Sequence, residues 1–277
     1  MPVREAAVEM RTKLFLALPG LRWLLWLWLM AATCNAFYLP GLVPITYCED
    51  GHPNLRCQSS IQVYADKFYS VENVLNYDYE SFDFCQDSWK KTPSETLGKI
   101  LSGERIISCP YKFSFNKEET CRKVCVKSYA PENEDQMNKL AFLKNGIKQN
   151  YYHHWVIDNT RVIWCYDMED EHSCESGFPI GCFNTPSGQL KGPCLINSEF
   201  SKNSLYLFNH FDITIKYHME SVATGNVAKL VSSRVDPKSY KHLDESHLTC
   251  NEPPLEIPED NTENLNVVYT YSIKFEA

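Results

Sequence analysis

The stretch Ser204-Leu-Tyr-Leu-Phe-Asn-His-Phe-Asp-Ile-Thr-Ile-Lys-Tyr-His-Met-Glu220 alternates through its second half. Phe211, Ile213, Ile215, Tyr217 and Met219 fall on one side, and Asp212, Thr214, Lys216 and His218 on the other. A period of two in β-branched and aromatic residues predicts a half-buried strand. The chain ends on the same pattern: Val267, Tyr269, Tyr271, Ile273 and Phe275 alternate with Val268, Thr270, Ser272 and Lys274. Two strands with one apolar face each need a layer to pack against, which implies a sheet-on-sheet or sheet-on-helix core.

Between these strands and the amino end, the periodicity is mixed. Ile61, Val63 and Ala65 predict a short strand, as do Tyr111, Phe113 and Phe115. Residues 70–85 are dense in Tyr, Phe and acid, with no winning period. Thr92-Pro-Ser-Glu95 is a capping box with proline at the first helical position, and Gly103 stops the helix it opens. Glu118–Lys127 reads as helical. Asp135–Lys148 does too, with Met137, Leu140, Leu143 and Ile147 in one stripe. Trp155–Asp158 and Arg161–Tyr166 predict a hairpin across Asn159-Thr160. Glu169–Ser176 reads as an acidic loop, Gly177–Asn184 as a strand and Pro186–Pro193 as a turn region. Ala228, Leu230 and Ser232 suggest a further strand, and Cys250–Asn264 a surface connection. The fold expected is mainly β with a few helices: a β-sandwich-like, disulfide-linked domain.

The 277 residues, 44% hydrophobic and 13% aromatic, suffice for a real core. Arg4, Arg11, Lys13 and Arg22 against Glu5 and Glu9 leave the first 36 residues at +2, so the remainder of this −8 chain carries −10. An acidic body repels phosphate backbones, which argues against a nucleic-acid partner. The amino end is patterned as a targeting signal. Leu14–Leu18 and Leu21–Met30 are apolar runs, interrupted by Pro19-Gly20 and Arg22. Small residues at Cys34 and Ala36 then favour cleavage before Phe37. The expected organisation is therefore a signal peptide over 1–36 and a lumenal domain over 37–277. No later run approaches the ~20 apolar residues of a membrane helix.

Twelve cysteines are present, and Cys34 leaves with the leader. Eleven remain: Cys48, Cys57, Cys85, Cys109, Cys121, Cys125, Cys165, Cys174, Cys182, Cys194 and Cys250. In an oxidising lumen disulfides are the default, and an odd count leaves a free or intermolecular thiol. Cys48–Cys57 and Cys121–Cys125 are possible local pairs, but spacing alone leaves the connectivity open. Cys165, Cys174, Cys182 and Cys194 lack the short knuckle of a zinc site. Cys121-Arg-Lys-Val-Cys125 lacks the C-x-x-C redox spacing.

Catalytic chemistry finds little support. His153 and His154 with Asp158 suggest a metal site, yet adjacent histidines on a strand face opposite sides. Asp167, Glu169, Asp170 and Glu171 lack the spacing and glycine of an EF-hand. No nucleophile elbow, zinc-protease, phosphate-loop or dinucleotide fingerprint occurs, so no cofactor and no enzymatic activity are expected. Asn203-Ser-Leu and Asn261-Thr-Glu both fail as glycosylation acceptors at the third position.

Phe37-Tyr-Leu-Pro-Gly41 resembles the mature start of the transmembrane 9 superfamily, the nonaspanins. So do Ser70-Val-Glu-Asn-Val-Leu75, Gly103-Glu-Arg105, Tyr111-Lys-Phe113 and Phe115-Asn-Lys117. Tyr152-His-His-Trp-Val-Ile-Asp-Asn159, Trp164-Cys-Tyr-Asp167, Gly177-Phe-Pro-Ile-Gly-Cys182, Phe208-Asn-His-Phe-Asp-Ile213 and Tyr269-Thr-Tyr-Ser-Ile-Lys-Phe275 extend the likeness. The resemblance implies a large lumenal domain ahead of nine membrane spans, and a part in Golgi and endosomal trafficking, including delivery of other membrane proteins. It implies no catalytic residues. The membrane-spanning part is absent from these residues, so the expected partner is membrane-protein cargo or the missing membrane domain. A truncated, secreted binding protein is the alternative. Cys109 falls where relatives are expected to lack cysteine, which makes it the candidate unpaired thiol.

Overall fold

The computed structural model describes residues 44–49, 57–88, 106–168, 171–185, 200–222, 225–242, 248–260 and 262–277, with isolated positions 23, 26, 101 and 194. The chain divides into two compact units, Met1–Gly41 and Leu42–Ala277. In the first, Trp23 and Trp26 are helical and exposed; the expected leader boundary lies outside the described residues.

In chain order the second unit contains β1 (Thr46–Tyr47), β2 (Ser60–Ala65), β3 (Tyr69–Ser70), a 3-10 turn (Tyr79–Ser81), β4 (Ile107–Ser114), β5 (Glu119–Tyr129) and helix α1 (Glu134–Lys148). There follow β6 (Tyr151–His153), β7 (Trp155–Ile157), β8 (Thr160–Arg161), β9 (Ile163–Met168), β10 (Glu171–Ser176), β11 (Phe178–Pro179) and β12 (Gly181–Asn184). The last are β13 (Ser204–Leu207), β14 (His210–Val222), β15 (Gly225–Lys238), β16 (Glu256–Ile257) and β17 (Leu265–Glu276).

The largest sheet runs β10-β9-β15-β14-β17-β5, with β1 also on β15. A second sheet runs β4-β2-β7-β8, and two small ones run β11-β6-β3 and β12-β13-β16. β14 and β15 form a long antiparallel pair from His210↔Lys238 to Val222↔Gly225. β17 lies parallel to β14, from His210↔Thr270 to Lys216↔Glu276. The apolar faces predicted for these two strands meet the second sheet. Tyr111 contacts Phe211 and Tyr271 at 5.8 and 6.0 Å between ring centroids, and Phe113 meets Tyr271 at 5.0 Å. Ile61, Val63 and Ala65 of β2 are buried in the same core. The result is a mainly β, sandwich-like body whose inner layers interdigitate.

α1 is the α-helix of this unit described along its whole length. The Asn133 side chain accepts from the Gln136 N–H, and Glu134 and Asp135 occupy the first turn. Leu140, Leu143 and Ile147 are buried and Met137 packs at the margin. Gly146 sits on the same face because Phe82 crosses there. A Cβ at Gly146 would lie 2.3 Å from the Phe82 ring.

Several expectations are corrected. Glu118–Lys127 is not a helix but most of β5, an edge strand on β17 with Arg122 and Lys123 exposed. Glu169–Ser176 is not a loop: Glu171–Ser176 is β10, paired with β9. The Cys250–Asn264 connection is not wholly superficial, since it contains β16 and buries Leu255 and Ile257. The hairpin turns one residue earlier than expected. Asp158 and Asn159 take positive φ of 47° and 61°, and Ile157 pairs with Thr160. That left-handed pair matches the twist of the flanking strands. Burial on the apolar face of β14 ends early: Tyr217 is half-buried and Met219 is exposed, beyond a register shift whose extra residue is Val231 of β15. The Thr92 capping box and the Pro186–Pro193 turn lie outside the described residues, apart from Leu101, which is helical and exposed.

Candidate functional site

Lys216, His218 and Lys274 face water, but the polar alternates at the start of β14 and beside it on β17 are covered. The parallel register sets His210 beside Thr270 and Asp212 beside Ser272. Thr270 and His210 are buried. His210 Nε2 lies 3.0 Å from Asp212 Oδ1 and 3.2 Å from Ser272 Oγ. Its Nδ1 lies 2.7 Å from Thr270 Oγ1 and 3.3 Å from Cys250 Sγ. A carboxylate only accepts, so Nε2 holds a proton toward Asp212, and in the neutral form of the ring Nδ1 is the acceptor. Lys238, across the β14–β15 pair, bonds the other Asp212 oxygen at 2.6 Å. Burial pushes the Asp212 carboxyl up, but hydrogen bonds and charge from His210 and Lys238 outweigh it and pull the group down to about 2. His242 completes the cluster, its Nε2 3.4 Å from Thr270 Oγ1. Burial first, then the His210 charge, lowers the His242 pKa.

Five disulfides frame the unit: Cys48–Cys57, Cys85–Cys125, Cys121–Cys250, Cys165–Cys174 and Cys182–Cys194. Cys121 and Cys125 do not join as the possible local pair. Cys121 crosses 129 residues to Cys250, and Cys125 crosses 40 to Cys85. Cys121–Cys250 fastens β5 to the segment that covers His210. Both of its half-cystines are only half-buried. Both also take positive φ, 51° and 45°, which costs a non-glycine residue about 1 kcal/mol each.

Cys165, Cys174, Cys182 and Cys194 are therefore bonded in two pairs. His172 approaches Cys174 and Cys165 closely enough to resemble a ligand set. Both sulfurs are bonded to each other, however, and offer no thiolate. Asp167 instead contacts His172 Nδ1 at 2.5 Å. Glu171 opens β10, and Glu169 and Asp170 lie outside the described residues. His153 and His154 point apart. His153 is sealed among Phe68, Phe84 and Phe178, while His154 packs edge-on against Tyr69. Asp158 accepts the Ile45 N–H at 2.9 Å.

Cys109 is the free cysteine among the described residues, buried on β4. Burial pushes its thiol far above the ordinary range, with a smaller opposing effect from a Tyr79 hydrogen bond. Such a thiol is inert. Cys109→Ser keeps a group able to bond Tyr79 and is expected to cost about 1 kcal/mol. The folded protein is expected to leave Cys109 unlabelled by maleimide. A urea titration showing a loss in the ~2–5 kcal/mol range of a removed disulfide would contradict the free state.

On the loop after β3, Val71, Val74 and Leu75 stand 93%, 95% and 61% exposed. Hydrogen bonds pin the loop that carries them. Asn73 Nδ2 donates to Gln149 Oε1 and the Leu75 N–H donates to Asn73 Oδ1. Asn150 Nδ2 donates to Glu72 Oε1, and the Tyr151 hydroxyl donates to the Leu75 carbonyl. Three large apolar side chains are thus presented to solvent on a braced turn.

The family model described as Endomembrane protein 70 matches residues 76–277. The chain belongs to this family, the transmembrane 9 superfamily. It is 46% identical over 245 residues to the human protein named transmembrane 9 superfamily member 2, covering 87% of this chain and 37% of that protein. The Pongo abelii member 2 is 47% identical over the same shares. Saccharomyces cerevisiae transmembrane 9 superfamily member 1 is 28% identical over 91% of this chain and 41% of its own length. The chain thus spans well under half the length of these curated relatives. Among its described residues no helix is long and apolar enough to cross a membrane.

The Ser70–Leu75 words were quoted for their family likeness, but periodicity gave them no site. The His210 cluster was missed altogether. His210 and Asp212 lie in the family word Phe208–Ile213, and Thr270 and Ser272 in Tyr269–Phe275, but their alternation has the look of a solvated strand face.

Proposed function

We propose that this chain is the lumenal recognition domain of a multi-pass Golgi or endosomal membrane protein that places other membrane proteins, acting by binding and not by turnover. Family membership supports the membrane context. The leader pattern and the five disulfides are suited to an oxidising lumen. The observation that carries the binding role is the braced apolar loop at Val71, Val74 and Leu75. Exposed apolar clusters mark interaction sites, and a loop already ordered loses little entropy when a partner arrives. The partner in this reading is an apolar lumenal segment of a cargo membrane protein.

The test is complementation. Cells lacking the protein are given the tagged product of the natural transcript, or the same product carrying Val71→Ser, Val74→Ser and Leu75→Ser. Golgi and endosomal markers report its position, and surface biotinylation reports cargo delivery. The wild type is expected in those compartments and to restore surface levels. The triple variant is expected to reach the same place with an unchanged melting temperature and to fail in delivery. A cytosolic wild-type protein, or a triple variant that restores delivery fully, would sink the proposal.

A further inference from the structure

We propose that the Cys121–Cys250 bridge is a thiol-exchange site opened by a dithiol, with His210 holding the leaving sulfur of Cys250 and Asp212 positioning the ring. This goes beyond the recognition role and does not depend on where the protein resides.

The geometry singles out this bridge. Cys250 Sγ lies 3.3 Å from a buried imidazole nitrogen, and the opposite nitrogen lies 3.0 Å from a carboxylate. The other end is wired to the same ring. The Cys121 N–H donates to Ser272 Oγ at 3.1 Å, and that oxygen lies 3.2 Å from His210 Nε2. An arrangement of sulfur, imidazole and carboxylate stabilises a thiolate, and exchange speeds up as the leaving sulfur becomes the weaker base. Both half-cystines take left-handed backbone conformations. Backbone strain of this kind gathers at functional sites, and opening the bridge lets it relax. Both of its residues are partly exposed, so a reagent reaches it without unfolding, as it also reaches Cys174 of the Cys165–Cys174 bridge. The exposed Cys165–Cys174 bridge has a histidine too, but His172 Nε2 stands 3.8 Å from Cys174 Sγ and its ring faces solvent.

The steps balance as ordinary exchange. One thiolate of the dithiol attacks Cys121 Sγ, a new S–S bond forms, and the Cys121–Cys250 bond breaks. The electron pair goes to Cys250 Sγ, and the thiolate is held by His210 Nδ1, which carries the proton shed when the attacking thiol ionised. The second thiolate of the dithiol then displaces Cys121, leaving it reduced. The dithiol is oxidised by two electrons and the bridge reduced by two. The charged and titratable groups around His210 are Asp212 on its own strand, Lys238 on β15, and Tyr240 and His242 on the covering segment, and Cys250 joins them once the bridge is open.

The experiment uses the oxidised full chain and limiting dithiothreitol across pH 5–8, with alkylation at timed points and peptide mapping of each bridge. Every bridge opens faster as dithiothreitol ionises, so the Cys121–Cys250 rate is read as its ratio to the Cys165–Cys174 rate at each pH. His210→Gln is expected to lower that ratio about tenfold, while Cys165–Cys174 labels at its wild-type rate. Asp212→Asn, on a half-exposed side chain, is expected to shift the pH profile of the ratio and slow the same pair alone; it decides the matter should His210→Gln fail to fold. Wild-type rates and profile in Asp212→Asn, or equal slowing of all bridges in either folded variant, would overturn the proposal.

Discussion

Trp155→Ala is expected to remove about 4 kcal/mol of folding stability, within the range for deleting a buried large aromatic side chain. Trp155 is buried on β7 and touches three other strands at once. Its ring lies 4.6 Å from Tyr111 of β4, 4.8 Å from Phe178 of β11 and 5.1 Å from Phe211 of β14. Those strands belong to three different sheets. A cavity there has rigid walls on every side, so it collapses poorly and the upper part of the range applies. The indole N–H has no hydrogen-bond partner. Trp155→Phe therefore forfeits no bond and is expected to cost only about 1–2 kcal/mol. Urea titrations with all disulfides intact check both values. A Trp155→Ala loss below about 1 kcal/mol would mean that the junction is not the centre of the core.

The sequence speaks most clearly where a strand lies between one wet and one dry face. Phe211, Ile213 and Ile215, and the matching set from Val267 to Ile273, are buried as their alternation requires. The α1 stripe was legible for the same reason at the helical period. β5 and β10 were misread because they are edge strands of their sheet. An edge strand carries charge to discourage further pairing. Arg122, Lys123 and Lys127 therefore mimic a solvated helix, and Glu171, His172 and Glu175 mimic a loop. The His210 cluster was illegible for a different reason. It depends on the parallel register of β14 against β17 and on a bridge that spans 129 residues. Neither is encoded in local spacing, and a buried Thr270 has the same sequence neighbourhood as an exposed one.

His153 makes the second large prediction, in which acid weakens the fold through a histidine that is held neutral. Its ring is stacked on Phe178 at 4.9 Å and flanked by Phe84 at 4.6 Å, and neither ring nitrogen has a hydrogen-bond partner. Burial, with the neighbouring His154 charge second, holds its pKa well below the ordinary 6.5. In the unfolded chain the same group takes up a proton once the pH falls through about 6.5. The folded-state pKa is depressed, so the unfolded state binds more protons below that point. Stability is therefore full above the unfolded value and falls as the pH drops. Between pH 7 and pH 5 this one group is expected to remove about 2 kcal/mol. His154, pushed down to about 4 by burial and then by the Arg161 charge, acts in the same direction until its own folded value is reached. Asp212 does not contribute in this window, because its stabilising charge is lost only as the pH falls from 3.8 toward about 2. His153→Phe fills the same flat space and leaves no unpaired nitrogen. The variant is expected to match or exceed the wild type by about 1 kcal/mol at pH 7 and to shed roughly 2 kcal/mol of the acid loss at pH 5. Paired denaturation curves at the two pH values decide it. An unchanged pH dependence in His153→Phe would show that this imidazole is solvated or protonated in the folded protein, contrary to the sealed aromatic cage around it.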